Sequence, residues 1–395
     1  MRKLVASICV AAVIALLLSG CRSSNEINSM SLVMGIAIDK GRGEREYEVT
    51  AQIAQVSGHS GGGEEAGGAA VGDEAFLNIT TKGLGVSAAM IEISRMINRK
   101  LYTGHIQVVV IGREVAEDGI DPILNYFIGS ADGRLSTTLL IADKKAKTLF
   151  EGKSSVNHSP ASNLAGLVDA HVKAGELSEP TMLSFLDDMI GGLTAPKIPI
   201  VEPVKDENGG EFAEITGAAV FDGTKLKDVM TIRQSRAVFA VRNRISGGYQ
   251  KIIRDGRYLT LRIEKASSHL SATVVDGKPS MTVTIRREYS VDDSTWDIDY
   301  LNDDERKKAE ALSKEKSLEL LCDTLAWARA RGLDVFAFGE YLYRHNNRET
   351  GELLRNWREA FAKLEVEFEV EVTILGTGAI LKNLEPVSHP EGILR

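Results

Sequence analysis

The chain has 395 residues, with 47 Lys and Arg against 55 Asp and Glu and a formal net charge of −8. That length leaves room for two or three domains with sizeable cores. The acidic balance and the lack of a long basic block exclude a nucleic-acid-binding surface.

Arg2 and Lys3 precede an apolar run over residues 4–18, the layout of an export signal with a short hydrophobic region. Leu18-Ser19-Gly20-Cys21 resembles a bacterial lipobox. In that reading the signal is removed, the Cys21 thiol carries a diacylglyceryl group, and Cys21 becomes the first residue of the mature chain. At about 0.8 kcal/mol per buried CH2, two acyl chains anchor stably where one is marginal. Two other readings compete. Ordinary secretion prefers a small residue where Leu18 stands, and a retained anchor needs roughly 20 apolar residues. With Cys9 in the signal and Cys21 lipidated, no internal disulfide forms. Cys322, inside an apolar helical pattern, reads as a buried small hydrophobe.

Residues 22–29 are a polar tether. Residues 32–39 then read as a buried strand, and residues 47–56 alternate like its hairpin partner. Residues 58–72, rich in Gly and Ala, read as a flexible loop. Val86, Met90, Ile93, Ile97 and Leu101 recur at helical spacing, and Gln107-Val108-Val109-Val110-Ile111 is a buried strand. Asp121-Pro122 opens a short helix, and Leu139-Leu140-Ile141-Ala142 is another interior strand. Ser159-Pro160 is an N-cap and N1 pair for a helix bearing Leu164, Leu167 and Val168. A further helix carries Leu183, Leu186 and Ile190.

Pro196, Pro199 and Pro203 punctuate an extended run that marks a domain boundary. Beyond it, residues 215–221 read as a strand, Asp222-Gly223 as a turn, residues 225–231 as its successor and residues 238–241 as one more strand. Leu259, Leu261 and Ile263, then Leu270, Ala272 and Val274, then Met281, Val283 and Ile285 alternate as half-buried strands of a meander. A long helix over residues 304–331, about 42 Å, starts in carboxylates and stops at Gly332. Helices over residues 334–344 and around Leu353, Leu354, Trp357 and Phe361 follow. Last comes a strand whose Glu365, Glu367, Glu369 and Glu371 alternate with apolar residues. Its neighbour should offer a cation, with Arg262, Lys265, Arg286 and Arg287 as candidates.

No Gly-x-Ser-x-Gly elbow, His-Glu-x-x-His or Cys-x-x-Cys is present, and Gly152-Lys153-Ser154 lacks the first glycine of a phosphate loop. The seven histidines are scattered, His171 reading as a packed or solvent-edged residue, and Asp187-Asp188, Asp292-Asp293 and Asp303-Asp304 suit helix starts and loops. The reading expects no enzyme, no cofactor and no metal.

The order of motifs resembles the Ger(x)C spore germination lipoproteins. The lipobox is followed by Glu26-Ile27, by Met34-Gly35-Ile36-Ala37-Ile38-Asp39 and by Thr216-Gly217-Ala218-Ala219-Val220-Phe221 with Lys225-Leu226. The sharper match is Arg331-Gly332-Leu333-Asp334-Val335-Phe336-Ala337-Phe338-Gly339-Glu340, then Trp357 and the closing strand near Gly376-Thr377-Gly378. Arg22 stands where members often carry Trp. The resemblance implies a non-catalytic C subunit of a nutrient germinant receptor, lipid-anchored through Cys21 on the outer face of the spore inner membrane beside A-type and B-type membrane subunits. The alternative is a solute-binding lipoprotein serving a transporter. The expected fold class is α+β, with three mixed α/β domains whose mixed or antiparallel sheets pack against helices. The expected divisions are a signal over residues 1–20, an N-terminal α/β domain over 21–199, a small middle domain over 200–256 and a C-terminal domain over 257–395. Asp334, Phe338, Gly339 and Glu340 are the candidate site, read as a structural helix-to-helix corner or as a partner contact.

Overall fold

Three strands open the chain, helices and strands then alternate as far as residue 205, and the strands at residues 32–38, 108–112 and 139–142 are apolar because they are covered on both faces. A computed structural model describes residues 30–43, 46–55, 76–151, 159–205, 207, 209–244, 246–296 and 302–377. Cys21, the lipobox, the tether expected over 22–29 and the loop expected over 58–72 lie outside them. In chain order the first part contains β1 (Met30–Lys40), β2 (Glu46–Ala54), β3 (Phe76–Leu84), α1 (Val86–Met96), β4 (Lys100–Tyr102), β5 (Val108–Gly112), α2 (Arg113–Asp118), α3 (Asp121–Gly129), β6 (Thr138–Ala142), α4 (Thr148–Glu151), α5 (Pro160–Lys173), α6 (Met182–Ile190) and β7 (Lys197–Lys205). Next come β8 (Glu211–Asp222), β9 (Lys225–Thr231) and α7 (Ile232–Val241). The remainder is β10 (Tyr249–Arg254), β11 (Arg257–Val275), β12 (Lys278–Ser294), α8 (Asp303–Arg331), α9 (Phe338–Arg355), α10 (Trp357–Lys363) and β13 (Glu365–Thr377).

One mixed sheet has the order β3-β2-β1-β5-β6-β7-β8-β9, with β4 beside the start of β1. Its centre, from β1 through β5 and β6 to β7, is parallel, and its flanks are antiparallel. Val109 and Ile111 enter a core closed by α1, α3 and α6, while Val108 and Val110 enter the opposite core with Phe150, Leu164 and Phe239. That two-sided burial explains the unbroken apolar runs. The second sheet, β10-β11-β12-β13, is antiparallel except that β13 runs parallel to β12. The long α8 spans it: Ala309 and Leu312 pack with Leu259 and Ile374, and Leu321, Leu325 and Ala328 pack with Val283 and Val370. The fold is thus α+β, with a mixed and a largely antiparallel sheet packed against helices.

Several expectations need correction. Residues 238–241 are the end of α7, not a strand. Thr231 and Gln234 form a capping box that starts the helix. Val238 and Val241 face one core and Phe239 and Ala240 another, so the burial on all sides erased the helical period. The helix of Val86 ends at Met96, and Leu101 lies in β4. In α6 the buried face is Met182, Phe185 and Leu186, whereas Leu183 and Ile190 are exposed. The two strands around Leu261 and Ala272 are one strand, β11. Register shifts at Leu261 and between Ile263 and Lys265 insert extra residues, and the inward positions pass from odd to even numbers. Asp276 and Gly277, with φ of 51° and 72°, close the β11–β12 hairpin in the left-handed conformation that such turns need. Strands β3, β4 and β10 and helices α2 and α4 carried too little periodicity to be read. Cys322 is exposed, one position off the buried stripe of α8.

The boundary expected at 199/200 falls inside β7, which pairs with β6 on one side and β8 on the other. Strand β6 meets β7 only at Ile200 and Val201, so Pro199 and Pro203 flank that contact, where a missing N–H costs no bond to β6.

Candidate functional site

The corner between α8 and α9 is built on one buried carboxylate. Gly332 ends α8 in the left-handed conformation, φ 64°, which a side chain would disfavour. Two residues on, Asp334 is buried, and its Oδ1 accepts the Phe336 N–H at 3.0 Å while Oδ2 accepts the Gly339 N–H at 2.8 Å and the Trp357 Nε1–H at 3.1 Å. The bracket holds Ala337, a non-glycine residue at φ 66°, a conformation costing roughly 1–3 kcal/mol. The helix expected from residue 334 therefore begins at Phe338, and Leu353 and Leu354 belong to the same helix rather than to that of Trp357. Phe336 and Phe338 stack with centroids 5.2 Å apart. At Gly339 a Cβ would lie 2.5 Å from Trp357 Nε1, so the indole packs directly on the backbone. Glu340 is half-buried and pairs with Arg344, and the Thr194 hydroxyl donates to it at 3.5 Å.

The corner docks on the first sheet through the Ala195 N–H, which donates to Asp334 O at 2.8 Å. Immediately beyond lies a buried ionic cluster. Lys197 Nζ donates to Asp188 Oδ2 at 2.9 Å and to Ala195 O at 2.9 Å, and Arg242 grips both Asp188 oxygens at 3.0 and 2.8 Å. Side-chain exposure is 4% for Lys197, 11% for Asp188 and 16% for Arg242. The two partners of the ion pair shift in ways a simple pair would not. Burial alone would raise the Asp188 carboxyl, but two cations outweigh it and hold it at about 2. Burial lowers the Lys197 ammonium to about 8, since one carboxylate shared with Arg242 does not fully compensate. Burial likewise pushes Asp334 up to about 6 against its three donors and the nearby Lys197. Further bonds tie the same seam: Arg331 pairs with Asp228, Arg358 Nη1 meets Asp222 Oδ2 at 3.1 Å, and Tyr341 donates to Leu270 O at 2.8 Å.

Asp334 binds a proton more readily folded than unfolded, since its carboxyl sits at about 6 against the ordinary aspartate value of 3.8. Its contribution is therefore most favourable below the unfolded value and declines as pH rises through about 6, by roughly 3 kcal/mol at 1.36 kcal/mol per unit. Denaturant unfolding of the wild type and Asp334→Asn across pH 4 to 7.5 should show a steeper decline in the wild type than in the variant, which retains the decline due to buried Asp39. Parallel pH profiles would refute the assignment.

Several other residues singled out in the sequence have structural partners. Asp39 is buried, accepting the Ala146 and Lys147 N–H groups at 2.8 and 2.9 Å. His171 Nδ1 lies 2.8 Å from Glu176 Oε2. Ser159 caps its helix and donates to Gln52 Oε1 at 2.6 Å. Of the cations suggested for the acidic strand, Arg286 answers Glu371 at 2.7 Å; Arg262 and Lys265 pair with Glu264 and Glu288 instead. No group of three or more His, Cys, Asp or Glu suited to a metal occurs among the described residues. The structure brings Asp334, Phe338, Gly339 and Glu340 together with Trp357. The sequence reading missed Lys197 and Arg242 and took Asp188 as half of a carboxylate pair that suits a helix start or loop. A lone lysine in Ala195-Pro196-Lys197-Ile198-Pro199-Ile200 was the available signal, because a buried ammonium must find an acid.

Two family models match the chain in tandem. They are the spore germination protein N-terminal domain over residues 23–203 and the spore germination B3/GerAC-like C-terminal domain over residues 216–378. The putative spore germination protein YfkR of Bacillus subtilis (strain 168) is 24% identical over 392 residues, covering 97% of this chain and 100% of its own. Spore germination protein KC of the same organism is 24% identical over 409 residues, covering 96% and 98%. The crystal structure of the GerBC protein has a similar fold, with a TM-score of 0.58 at 17% identity over 87% of this chain and 97% of that one.

Proposed function

Because this chain belongs to the Ger(x)C family of spore germination proteins, we propose that it is the lipid-anchored C subunit of a nutrient germinant receptor, acting through protein contacts rather than chemistry. The observation that carries the reading is the end-to-end match to spore germination proteins. Its partners in this reading are the A-type and B-type membrane subunits, and its place is the outer face of the spore inner membrane. No described helix is long and apolar enough to cross a membrane, and attachment rests on Cys21. The polar groups at the seam are engaged with one another, which suits a scaffold that transmits force or position. We also propose that the chain divides near residue 200 in evolutionary units, since the two family models change over between residues 203 and 216, while the sheet continues through. The solute-binding alternative is not favoured: it calls for two similar lobes about a cleft, and the two sheets here differ in strand number and topology.

The test is nutrient-triggered dipicolinic acid release from spores lacking this chain, across amino acids and sugars. Loss of response to one nutrient set, restored by the wild type and not by Cys21→Ala, is the expected result. Cys21→Ala protein that still sediments with membranes would remove the anchor from the reading.

A further inference from the structure

Strand β13 lies at one edge of the second sheet and pairs on one side only, with β12. Side chains of α8 cover its two ends: Arg329 donates to Leu364 O, and the Ile374 N–H donates to Glu310 Oε1 at 2.8 Å. Leu364 and Ile374 share a parity, and both turn these backbone groups away from β12. Their alternation points the N–H and C=O groups of Val366, Phe368, Val370 and Val372 to the same open side. Among the described residues nothing pairs with that central stretch of the edge.

The two faces of the strand differ. Val366, Phe368 and Val372 are half-buried against the core under α8, with Val370 fully inside. Glu365, Glu367, Glu369 and Glu371 stand exposed on the other face. Across the sheet they meet Ser280, Thr282, Thr284 and Arg286 of β12, and beyond these Thr273, Ser271, His269 and Ser267 of β11. Arg286 grips Glu371 and lies within electrostatic reach of Glu369, whose Oε2 accepts the Thr284 hydroxyl at 2.8 Å. Lys314 of α8 also acts on Glu371. Lys278 and Lys363 stand before the start of the pairing, and among the described residues neither forms an ion pair with Glu365 or Glu367.

We infer that β13 takes up a further strand from another polypeptide, an extended segment in which Lys or Arg alternates with apolar residues. The added strand lies about 4.8 Å away, with its cations beside Glu365 and Glu367 and its apolar residues continuing the row of Val366, Phe368 and Val372. Main-chain bonds to the open edge supply affinity, and the alternate side chains supply selectivity. A second copy of this chain does not fit, because two β13 strands paired antiparallel in one continuous sheet set glutamates against glutamates. The same glutamates therefore oppose self-pairing and select a cationic strand. The inference rests on the geometry of β13 and is independent of the receptor reading above.

The experiment is fluorescence anisotropy at pH 7 on the full chain in a mild detergent, with a labelled peptide of sequence Thr-Lys-Val-Lys-Val-Lys-Val-Thr. It should bind saturably, at least tenfold more tightly than the same peptide with Glu for Lys. It should also bind at least tenfold more tightly than its backbone N-methylated form, which keeps the charge and loses the donors. Glu367→Gln with Glu369→Gln, changes at exposed side chains, should weaken it at least threefold. Glu114→Gln with Glu117→Gln, an equal loss of charge at exposed positions of α2, should leave it unchanged. No saturable binding, an N-methylated peptide that binds as tightly, or equal weakening by the two double variants would overturn the inference. So would a dimer of the full chain that the peptide disperses, or binding seen only once residues 378–395 are removed, since the edge would then belong to a second copy or to the chain's own end.

Discussion

Asp188→Ala is expected to cost about 3–5 kcal/mol of folding stability, the penalty for removing one partner of a buried ion cluster. Lys197 and Arg242 would both remain, one at the start of β7 and the other at the C-terminal end of α7, with side chains only 4% and 16% exposed. The attraction lost is only part of the cost; the larger part is the desolvation of two cations left facing each other. Arg358→Gln is the control, because Arg358 and Asp222 are 57% and 49% exposed and such pairs contribute about 0–1 kcal/mol. Replacing the cluster together, as Asp188→Leu with Lys197→Met and Arg242→Leu, should recover most of the loss, since apolar residues of similar volume carry no desolvation debt. Urea unfolding midpoints check all three. A D188A chain within about 1 kcal/mol of the wild type would show that both cations escape to water and that the cluster is not a fastener.

Phe338→Ala is expected to cost a further kind of stability, about 3–5 kcal/mol for a large buried aromatic truncated to a methyl. Phe338 is fully buried and stacked on Phe336, which in turn packs against Phe368 of β13. Truncation would open a cavity between the corner and the second sheet. Gly339→Ala attacks the same corner by overfilling: the new methyl would sit 2.5 Å from Trp357 Nε1, and displacing the indole would also break its bond to Asp334. The typical cost of such overpacking is about 1–3 kcal/mol. Both variants should lose germination activity only as far as they lose folded protein. A Phe338→Ala chain of normal stability that nonetheless fails in spores would make the corner a partner contact instead.

Much of the first sheet was legible because β1, β5 and β6 are short apolar runs bounded by turns, and burial on both faces leaves that signature and no other. The same two-sided burial misled at residues 238–241, where a helix enclosed by two cores looks like a strand unless Thr231 and Gln234 are read as its cap. In β11 the alternation was visible but its continuity was not, since an inserted residue shifts the parity that period-two reading depends on. The corner residues were found by their motif, and Gly332 as a helix stop by its chemistry, but that Asp334 brackets the whole turn from inside was not legible, because its three donors come from Phe336, Gly339 and the distant Trp357.

The sequence by itself determined the family, the α+β class, the long α8 and the expectation of export and lipidation at Cys21. Each of these rests on local order: motif succession, periodicity along one element, or a contiguous signal. Only the tertiary structure decided that Asp188, Lys197 and Arg242 meet and that Asp334 sits beside them. These residues are 54 positions apart from Asp188 to Arg242 and lie on separate elements. Their pairing follows from how a mixed sheet and its helices close over buried charges, and no local pattern encodes which distant acid a buried cation will find.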